Sequence, residues 1–272
     1  MAIARPLVLI RGGGDLASGT ALRLHRTGFG VVISEIEQPL AVRRAVSFAE
    51  AVYAGEVRVE EVTGRRVDDV EQIEAVLNEQ VIPVLVDPHA SIKGSVNFDA
   101  VIDARMRKKP SELVIGEDEI IVGLGPGFMA GDDCHAVVET KRGHTLGRVI
   151  WDGPAQDDTG APEPIQGYDV ERVLRAPATG VLDAGLDIGT AVAVGDVVAR
   201  VDNQSLLAPF DGVLRGLIHD GLEVFTGMKI GDLDPRGVAE YCFIVSDKAL
   251  AVAGGVSEAL LSFESIRKGL AA

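Results

Sequence analysis

PLVLIRGGGDLASGTALRLHRTGFGVVISEI, residues 6–36, has the pattern of a strand, a turn, a helix and a second strand. Residues 7–10 form a continuous apolar run, which is typical of a strand buried on both faces of a parallel sheet. Three glycines and Asp15 follow, and Asp15 is the expected N-cap of a helix that ends at Gly28. The stretch therefore predicts a βαβ unit of about 30 residues.

The glycine turn of this unit is a loosened form of a dinucleotide-binding fingerprint. Gly12 and Gly14 are followed by Gly19, whereas the strict fingerprint has its third glycine where Ala17 stands, and alanine is small enough to serve there. Glycines permit close backbone approach, and a helix N-terminus attracts phosphate. Glu35 ends the second strand, about 20 residues further on, where an acidic group can bind a ribose 2′-hydroxyl.

Two interpretations of the turn stay open at this point. In the first, Gly12, Gly13 and Gly14 cradle a phosphate and Arg11 adds a bidentate contact to it. In the second, the glycines only turn the chain, because the carboxylate of Asp15 repels phosphate and competes for the same N–H groups. A glycine fingerprint alone does not decide between them.

The rest of the first half repeats the alternation of strands and helices. Residues 38–55 and 68–80 are predicted helices, and VIPVLVDP (81–88) and DAVIDAR (99–105) are predicted buried strands. Such alternation is typical of a three-layer α/β domain. We therefore expect a Rossmann-like α/β domain with a parallel sheet over residues 1–152.

A second glycine-rich loop follows the strand predicted at residues 120–124. Its glycines are Gly123, Gly125 and Gly127. A hairpin turn comes next and carries Lys141, Arg142 and His144. Ligands gather at the carboxyl ends of sheet strands, and an acidic chain must concentrate positive potential locally to hold an anion. We expect both glycine loops and this turn to line one cleft for an anionic ligand.

Residues 132–135, Asp-Asp-Cys-His, place carboxylates, a thiol and an imidazole together. No C-x-x-C or H-x-x-x-H spacing accompanies them, so we predict no metal site. Asp132 and Asp133 are expected to raise the pKa of the Cys134 thiol, which favours a structural role for that cysteine. The sequence assigns no catalytic residue.

Composition narrows the class of partner. The chain has 272 residues, a formal net charge of −15 and two cysteines, Cys134 and Cys242. A surface this acidic repels nucleic acid and anionic membranes, so neither is an expected partner. We find no apolar run near the roughly 20 residues that span a bilayer and no signal-peptide pattern. These features and the scarcity of cysteine predict a cytoplasmic protein; a homo-oligomer is left open.

The second half of the chain repeats itself after a Pro- and Gly-rich linker at residues 153–169. APATGVLDAGLDIGTAVAVG, from Ala176, and APFDGVLRGLIHDGLEVFTG, from Ala208, share eight identities at a constant offset of 32. This layout is typical of biotinyl and lipoyl carrier domains, so we expect an all-β barrel-sandwich hybrid with a C-terminal extension over residues 170–272. The turn at residues 201–205 lacks the carrier lysine, and no covalent biotin or lipoate is expected.

Both halves together are similar to one family. The matching stretches are IRGGGDLASGTALRLHRTGF (10–29), EQPLAVRRAVSFAEAVYAGEV (37–57), GLGPGFMAGDDCHAVVETKRGHTLGRVI (123–150), APFDGVLRGLIHDGLEVFTGMKIGDLDPRG (208–237) and SDKALAVAGGVSEALL (246–261). On these the chain resembles, over nearly its whole length, the YqeB family, described as accessory proteins of the selenium-dependent molybdenum hydroxylase system. The resemblance implies a role in maturing molybdenum hydroxylases, through the molybdenum cofactor, selenium or the apoenzyme.

Three functions are compatible with the sequence. The first is a maturation factor that binds a nucleotide-bearing molybdopterin or a similar anionic ligand, with the hydroxylase apoenzyme or other maturation proteins as partners. The second is a non-catalytic scaffold that recruits the apoenzyme. The third is an NAD(P)-dependent oxidoreductase, although no Tyr-x-x-x-Lys pair follows the fingerprint. Whether the protein is an enzyme stays open.

Overall fold

The computed structural model describes residues 5–106, 115–116, 119–157 and 164–271. The chain divides into two compact units. The first unit consists of Met1–Glu37, Phe48–Asp158 and Val245–Ala272, and the second of Gln38–Ser47 and Thr159–Ile244. These boundaries differ from the expected ones, because one piece of the first half belongs to the second unit and the C-terminal residues belong to the first.

The first unit is built on a nine-stranded sheet with the order β10-β9-β7-β6-β1-β2-β5-β4-β3. Its strands, and those of a small β11-β8 sheet, are β1 (Leu7–Arg11), β2 (Gly30–Glu35), β3 (Glu56–Val59), β4 (Val62–Val67), β5 (Ile82–Val86), β6 (Ala100–Asp103), β7 (Ile120–Leu124), β8 (Met129–Ala130), β9 (Ala136–Val138), β10 (Val149–Ile150) and β11 (Gly153–Pro154). The helices are α1 (Asp15–Arg26), α2 (Ala51–Ala54), α3 (Gln72–Asn78), α4 (Asp247–Leu261) and α5 (Glu264–Ala271).

The sheet is mixed, and the predicted fold class is wrong on this point. Neighbouring strands are parallel from β9 through to β4, but β10 and β3 at the two edges are antiparallel. Both edge strands belong to hairpins, and hairpins are necessarily antiparallel. The central strands have the continuous burial that the apolar runs predict: every residue of β1 is buried, as are the first five of β2.

Helix α1 packs against α4 at Gly19. A Cβ atom added to Gly19 would lie 2.8 Å from the Cβ of Ala249, so only glycine lets the two helices approach this closely. The third glycine of the apparent fingerprint therefore serves helix packing. This contact also explains why the C-terminal helices belong to the first unit: the α1 face that contains Gly19 is buried by α4.

The second unit contains two separate four-stranded antiparallel sheets. The strands are β12 (Val173–Arg175), β13 (Gly180–Asp183), β14 (Ala191–Val192), β15 (Val197–Val201), β16 (Gln204–Leu207), β17 (Gly212–Leu217), β18 (Glu223–Val224) and β19 (Lys229–Asp234). The sheet orders are β12-β19-β17-β14 and β16-β15-β13-β18. Adding the 32-residue repeat offset to the positions of β12, β13, β14 and β15 gives those of β16, β17, β18 and β19. Each sheet therefore contains two strands from each repeat.

The expected biotinyl/lipoyl-type barrel-sandwich hybrid over residues 170–272 is wrong. The eight strands form two distinct sheets in a unit that the Gln38–Ser47 segment completes. That segment lies on β17, where a Cβ atom added to Gly216 would be 2.6 Å from the carbonyl oxygen of Val42. The sequence repeat correctly indicates which strands are equivalent. It cannot indicate that residues 38–47, from the first half of the chain, belong to the same unit. The chain is instead a two-domain α/β protein with a mixed sheet.

Within the residues that the structure describes, no single helix is long and apolar enough to cross a membrane. One bent pair, Ala239–Leu261 with Glu264–Ala271, meets the length and composition criteria only when its two members are taken together.

Candidate functional site

The three glycines between β1 and α1 have three different surroundings. Gly12 has a φ of +91° and donates its N–H to the Ser34 carbonyl at 2.7 Å, which makes the turn. Gly13 is covered: an added Cβ atom would lie 2.8 Å from the main-chain N of Ala49. Gly14 has no neighbouring heavy atom within 4 Å of such a Cβ position. Gly12 and Gly13 are thus required by the backbone, whereas Gly14 faces open space.

Gly14, rather than Asp15, is the N-cap of α1, and Asp15 is its first helical residue. The expectation of an Asp15 cap is wrong because glycine already takes the extended cap conformation, with φ −71° and ψ −172°. As a glycine, the cap residue has no side chain with which to accept a hydrogen bond from the first turn. The N–H groups of a first helical turn have no intrahelical partner and carry a partial positive charge, and the Cβ direction of the cap residue Gly14 faces open space.

Glu35 reaches the turn from the end of β2. Its Oε2 accepts the N–H of Gly13 at 2.7 Å, and its Oε1 accepts the N–H of Ile36 at 2.8 Å. Burial raises the pKa of the Glu35 carboxyl, and these two hydrogen bonds partly offset that effect. The carboxylate is therefore held against the glycine turn by two main-chain donors.

Two arginines share one buried carboxylate at the carboxyl ends of β1 and β6. Asp103 is completely buried; it lies 3.7 Å from Arg11 and accepts several hydrogen bonds from Arg105. Arg11 is also buried and its guanidinium donates to the Pro88 carbonyl at 3.5 Å. Burial lowers the pKa of Arg11, Arg105 lowers it further, and Asp103 and Asp87 raise it. Arg11 thus pairs with a buried acid, and the phosphate contact expected of it stays a prediction.

Arg105 is the basic residue that sequence reasoning missed. A Cβ atom added to Gly12 would lie 3.5 Å from Arg105 Cγ, and the Arg105 side chain is 26% exposed. The strand order reverses between β1 and β6, and open α/β sheets bind ligands at such switch points. The signal in the sequence is the pair of charged residues, Asp103 and Arg105, that ends DAVIDAR, but the apolar pattern of that stretch predicts only a buried strand.

The second glycine loop lies beside the same stretch of chain. Gly123 is inside β7 and packs under Phe128, so it is structural. Gly125 has a φ of +75°, and a Cβ atom added there would lie 2.5 Å from Thr140 Oγ1 and 3.4 Å from Met106 Cε. Gly127 also has a positive φ, of +94°. The turns at Gly12 and Gly125 therefore flank residues 104–106 from opposite sides.

The turn that carries Lys141, Arg142 and His144 is anchored to α4. The Arg142 guanidinium donates two hydrogen bonds to Asp247, at 2.7 and 2.8 Å, and the Lys141 N–H donates to Glu139. His144 is exposed. The Arg142 charge is thus shared with a carboxylate, and the convergence of this turn with Gly12–Gly14 stays a prediction.

The Cys134 region is structural in character. Burial, followed by Asp133, raises the pKa of the Cys134 thiol to about 12, which confirms the expected direction. His135 Nδ1 accepts the Ile121 N–H at 3.0 Å. In the part of the chain that the structure describes, no group of three His, Cys, Asp or Glu side chains could hold a metal ion.

Comparison with known proteins identifies one close sequence relative, and no family model matches the chain. The uncharacterized protein YqeB of Escherichia coli (strain K12) is 46% identical over 255 residues, which cover 94% of this chain and 47% of that protein. The chain therefore spans about half the length of the relative it matches.

Solved structures give only weak likenesses. An aspartoacylase family protein from Mesorhizobium loti is 7% identical, with a TM-score of 0.25 over 84% of each chain. The ectoine utilization protein EutE (DoeB) from Ruegeria pomeroyi is 13% identical, with a TM-score of 0.25 over 84% of this chain and 85% of that one. Scores this low assign no activity.

Proposed function

Over the 255 residues that it shares with its relative, this chain belongs to the YqeB family, and from this premise we propose that it is an accessory protein in the maturation of selenium-dependent molybdenum hydroxylases. In this role it binds a phosphate-bearing ligand, such as a nucleotide-bearing molybdopterin, at the β1–α1 turn. The pathway rests on the family resemblance, and the ligand class rests on the geometry of the turn.

One observation carries the ligand proposal: α1 begins at a glycine cap, and space is open above Gly14. A phosphate there would accept hydrogen bonds from first-turn N–H groups and gain from the helix dipole. Arg105 borders the turn on the β6 side and is partly exposed. It can add a charge-assisted hydrogen bond to the same phosphate.

Charges at this edge limit where an anion can bind. Asp103 already compensates Arg11, and Glu35 places a carboxylate against Gly13. An anion near Glu35 would be repelled. An anion above Gly14 is close to helix amides and to the Arg105 side of the turn, and in this proposal their attraction outweighs the repulsion from Asp15, the first residue of α1. We therefore place the phosphate at Gly14 and assign Arg11 to the structural support of Arg105 through their common carboxylate.

The scaffold function is kept as a second candidate because the second unit exposes large apolar side chains. Val194 and Phe225 are each 63% exposed, at turns that follow β14 and β18. These turns occupy neighbouring positions in the two repeats. A contiguous apolar patch marks a protein-binding surface, whereas single exposed apolar side chains are ordinary, so we propose these two turns as the place to test for recruitment. The two functions are compatible, since ligand binding and apoenzyme recruitment would use different units.

The test uses a substitution that the fold tolerates. Gly14→Ala adds a Cβ atom that meets no protein atom within 4 Å and projects into the proposed phosphate site. Gly254→Ala on α4 is the matched control, because an added Cβ there meets only the tip of Arg23, at 3.9 Å. ADP, CDP and NAD⁺ are titrated into all three proteins by calorimetry. We expect binding to the parent and control proteins, and at least about tenfold weaker binding to Gly14→Ala. Equal binding to both variants, or no binding to the parent, contradicts the proposal.

A further inference from the structure

We infer that the outer edge of β16 is a docking surface for a partner protein, which adds to it an extended segment of alternating basic and apolar residues. This surface, the β16 edge, consists of β16 (Gln204–Leu207) and the exposed apolar side chains of Val194, Val197 and Leu207. All of these residues belong to the second unit, so the inference does not depend on the ligand site at Gly14. It goes beyond the scaffold candidate by naming one surface and the kind of partner that fits it.

The first argument is the unpaired main chain of β16. This strand lies at the edge of the sheet β16-β15-β13-β18, and among the described strands it pairs only with β15. An edge strand presents a row of N–H and C=O groups on its outer side. An extended segment of a partner can form hydrogen bonds with these groups and extend the sheet by one strand.

The second argument is that β16 lacks the usual protection of an edge strand. Proteins protect such strands with charged side chains or proline, or by keeping them very short. Of the described edge strands, only β3, β12 and β16 are longer than two residues. Glu56 and Arg58 lie on β3 and Arg175 on β12, whereas β16 reads Gln-Ser-Leu-Leu and has no charged residue. Of these three strands, β16 is therefore the one most open to pairing.

The third argument is an apolar patch along this edge. Val197 and Leu207 lie opposite each other in the β15–β16 register and are 37% and 50% exposed. The turn that contains the exposed Val194 lies beside them, because the Gly195 N–H donates to the Ala208 carbonyl at 2.9 Å. The three apolar side chains are thus neighbours rather than scattered singly. Such a patch beside an open edge supplies contacts for alternate side chains of an added strand.

The fourth argument is the negative charge beside the patch. Asp196 and Asp211 are exposed. Each accepts a main-chain N–H at 2.8 Å, Asp196 from Ala193 and Asp211 from Val194. These donors are neutral, so they orient the two carboxylates without cancelling their charge. A segment that alternates apolar residues with Lys or Arg is complementary to both the patch and the carboxylates.

Charge also decides against a second copy of this chain as the occupant. Each copy has a formal net charge of −15, so two copies would repel each other at an edge that is itself bordered by carboxylates. The basic residue in this hairpin, Arg200, lies opposite Ser205 on β16 and opposite Asp183 on β13, and so has an acidic neighbour in its own sheet. The occupant is therefore a basic partner.

The experiment titrates three heptapeptides, blocked at both ends, into the full chain by calorimetry. Lys-Val-Lys-Val-Lys-Val-Lys is the probe. Lys-Val-Lys-Pro-Lys-Val-Lys has the same charge but cannot pair fully as a strand, because proline lacks an N–H donor. Glu-Val-Glu-Val-Glu-Val-Glu keeps the alternation and reverses the charge. We expect the probe to bind, and each of the other two peptides to bind at least about tenfold more weakly. Amide hydrogen exchange should slow at residues 204–207 when the probe binds, and stay unchanged at β3.

A pair of variants tests the position of the surface. Leu207→Lys puts a positive charge on the apolar patch at an exposed position, so it should weaken binding of the probe at least about tenfold. Leu261→Lys is the matched control, because it makes the same substitution at a side chain that is 41% exposed, at the end of α4 in the first unit. Its affinity for the probe should stay within about twofold of the parent value.

The possible outcomes are distinct. Equal binding of the probe and the proline peptide would show attraction by surface charge alone and overturn the inference. Equal binding of the acidic peptide, no binding of the probe, or equal losses in the two variants would also overturn it. Light scattering of the parent protein tests the other occupant: a dimer that Leu207→Lys dissociates would assign the β16 edge to a second copy.

The test survives a variant that fails to fold, because the peptide comparison and the hydrogen exchange use the parent protein. It is also separate from the nucleotide titrations of Gly14→Ala. The docking surface and the proposed ligand site can therefore fail independently of each other.

Discussion

Asp103 holds the partly exposed guanidinium of Arg105 with both of its carboxylate oxygens, although Asp103 itself is completely buried. The same carboxylate lies 3.7 Å from the buried Arg11. One acid thus compensates a structural cation and orients a second one at the edge of the sheet. Removing the Asp103 carboxylate should therefore lower the stability of the fold and weaken the ligand binding that we propose.

Replacing Asp103 with Ala should destabilise the protein by about 3–5 kcal/mol, because it leaves Arg11 buried beside no compensating carboxylate at that position. Urea unfolding gives the measurement. Asp247→Ala is the comparison. It breaks the ion pair between Arg142 and the 74% exposed side chain of Asp247, and should cost less than about 1 kcal/mol of folding stability. Similar costs for the two variants would contradict the assignment of Arg11 and Asp103 as a buried pair.

Gly13 and Gly14 should respond differently to the same substitution. Gly13→Ala forces a Cβ atom against the main chain of Ala49 and should destabilise the protein by about 1–3 kcal/mol. Gly14→Ala changes only the helix cap and should cost less than about 1 kcal/mol. Thermal melting of the two variants checks the order. A larger loss from Gly14→Ala would mean that the space above Gly14 is filled.

The packing of α1 on α4 can be tested by a double-mutant cycle. Gly19→Ala brings two Cβ atoms to about 2.8 Å and should cost about 1–3 kcal/mol. Combining it with Ala249→Gly removes the nearest contact and leaves those with Val245 and the main chain of residue 249. The double variant should therefore be more stable than the sum of the two single changes predicts. Strict additivity would show that Gly19 and Ala249 do not pack together.

Both cysteines should resist alkylation in the folded protein. Burial and Asp133 raise the pKa of Cys134 to about 12, and burial raises the pKa of Cys242 as well. A raised thiol pKa means that the reactive thiolate is scarce at pH 8 and becomes abundant only as the pH rises through the folded-state pKa. Iodoacetamide followed by intact mass measurement should find no adduct at pH 8 and two adducts in urea. Rapid native labelling of Cys134 would reopen a chemical role for it.

The sequence predicts the β1–α1–β2 unit well, because local rules decide it. Continuous apolar runs form strands that are buried on both faces of the sheet, and glycines form the turn that follows. The identity of the helix cap was harder: Asp15 has the stronger intrinsic preference, but the turn ends one residue earlier, at Gly14. Boundaries of this kind depend on the backbone path through neighbouring strands.

The segment from Gln38 to Gly55 shows where local pattern fails. A single helix was expected, but the structure has short 3₁₀ turns at Arg44–Val46 and Phe48–Glu50 and the four-residue α2. Tertiary contacts override propensity here, because Arg43 donates to the carbonyls of Tyr241 and Ile244, about 200 residues away in sequence. Arg105 cannot be placed from the sequence for a similar reason: its position over Gly12 depends on which strands become neighbours.

The contact of α4 with α1 has a consequence for the order of synthesis. On the ribosome, the β1–α1 turn emerges early, but its helix must wait for residues 247–261 before the face at Gly19 is covered. The whole second unit is translated in between. The nascent first unit therefore carries an exposed apolar helix face through most of elongation, and such surfaces are where chaperones bind and where misassembly begins. A ribosome stalled before α4 should yield a protease-sensitive first unit, whereas one stalled well beyond it should yield a resistant one.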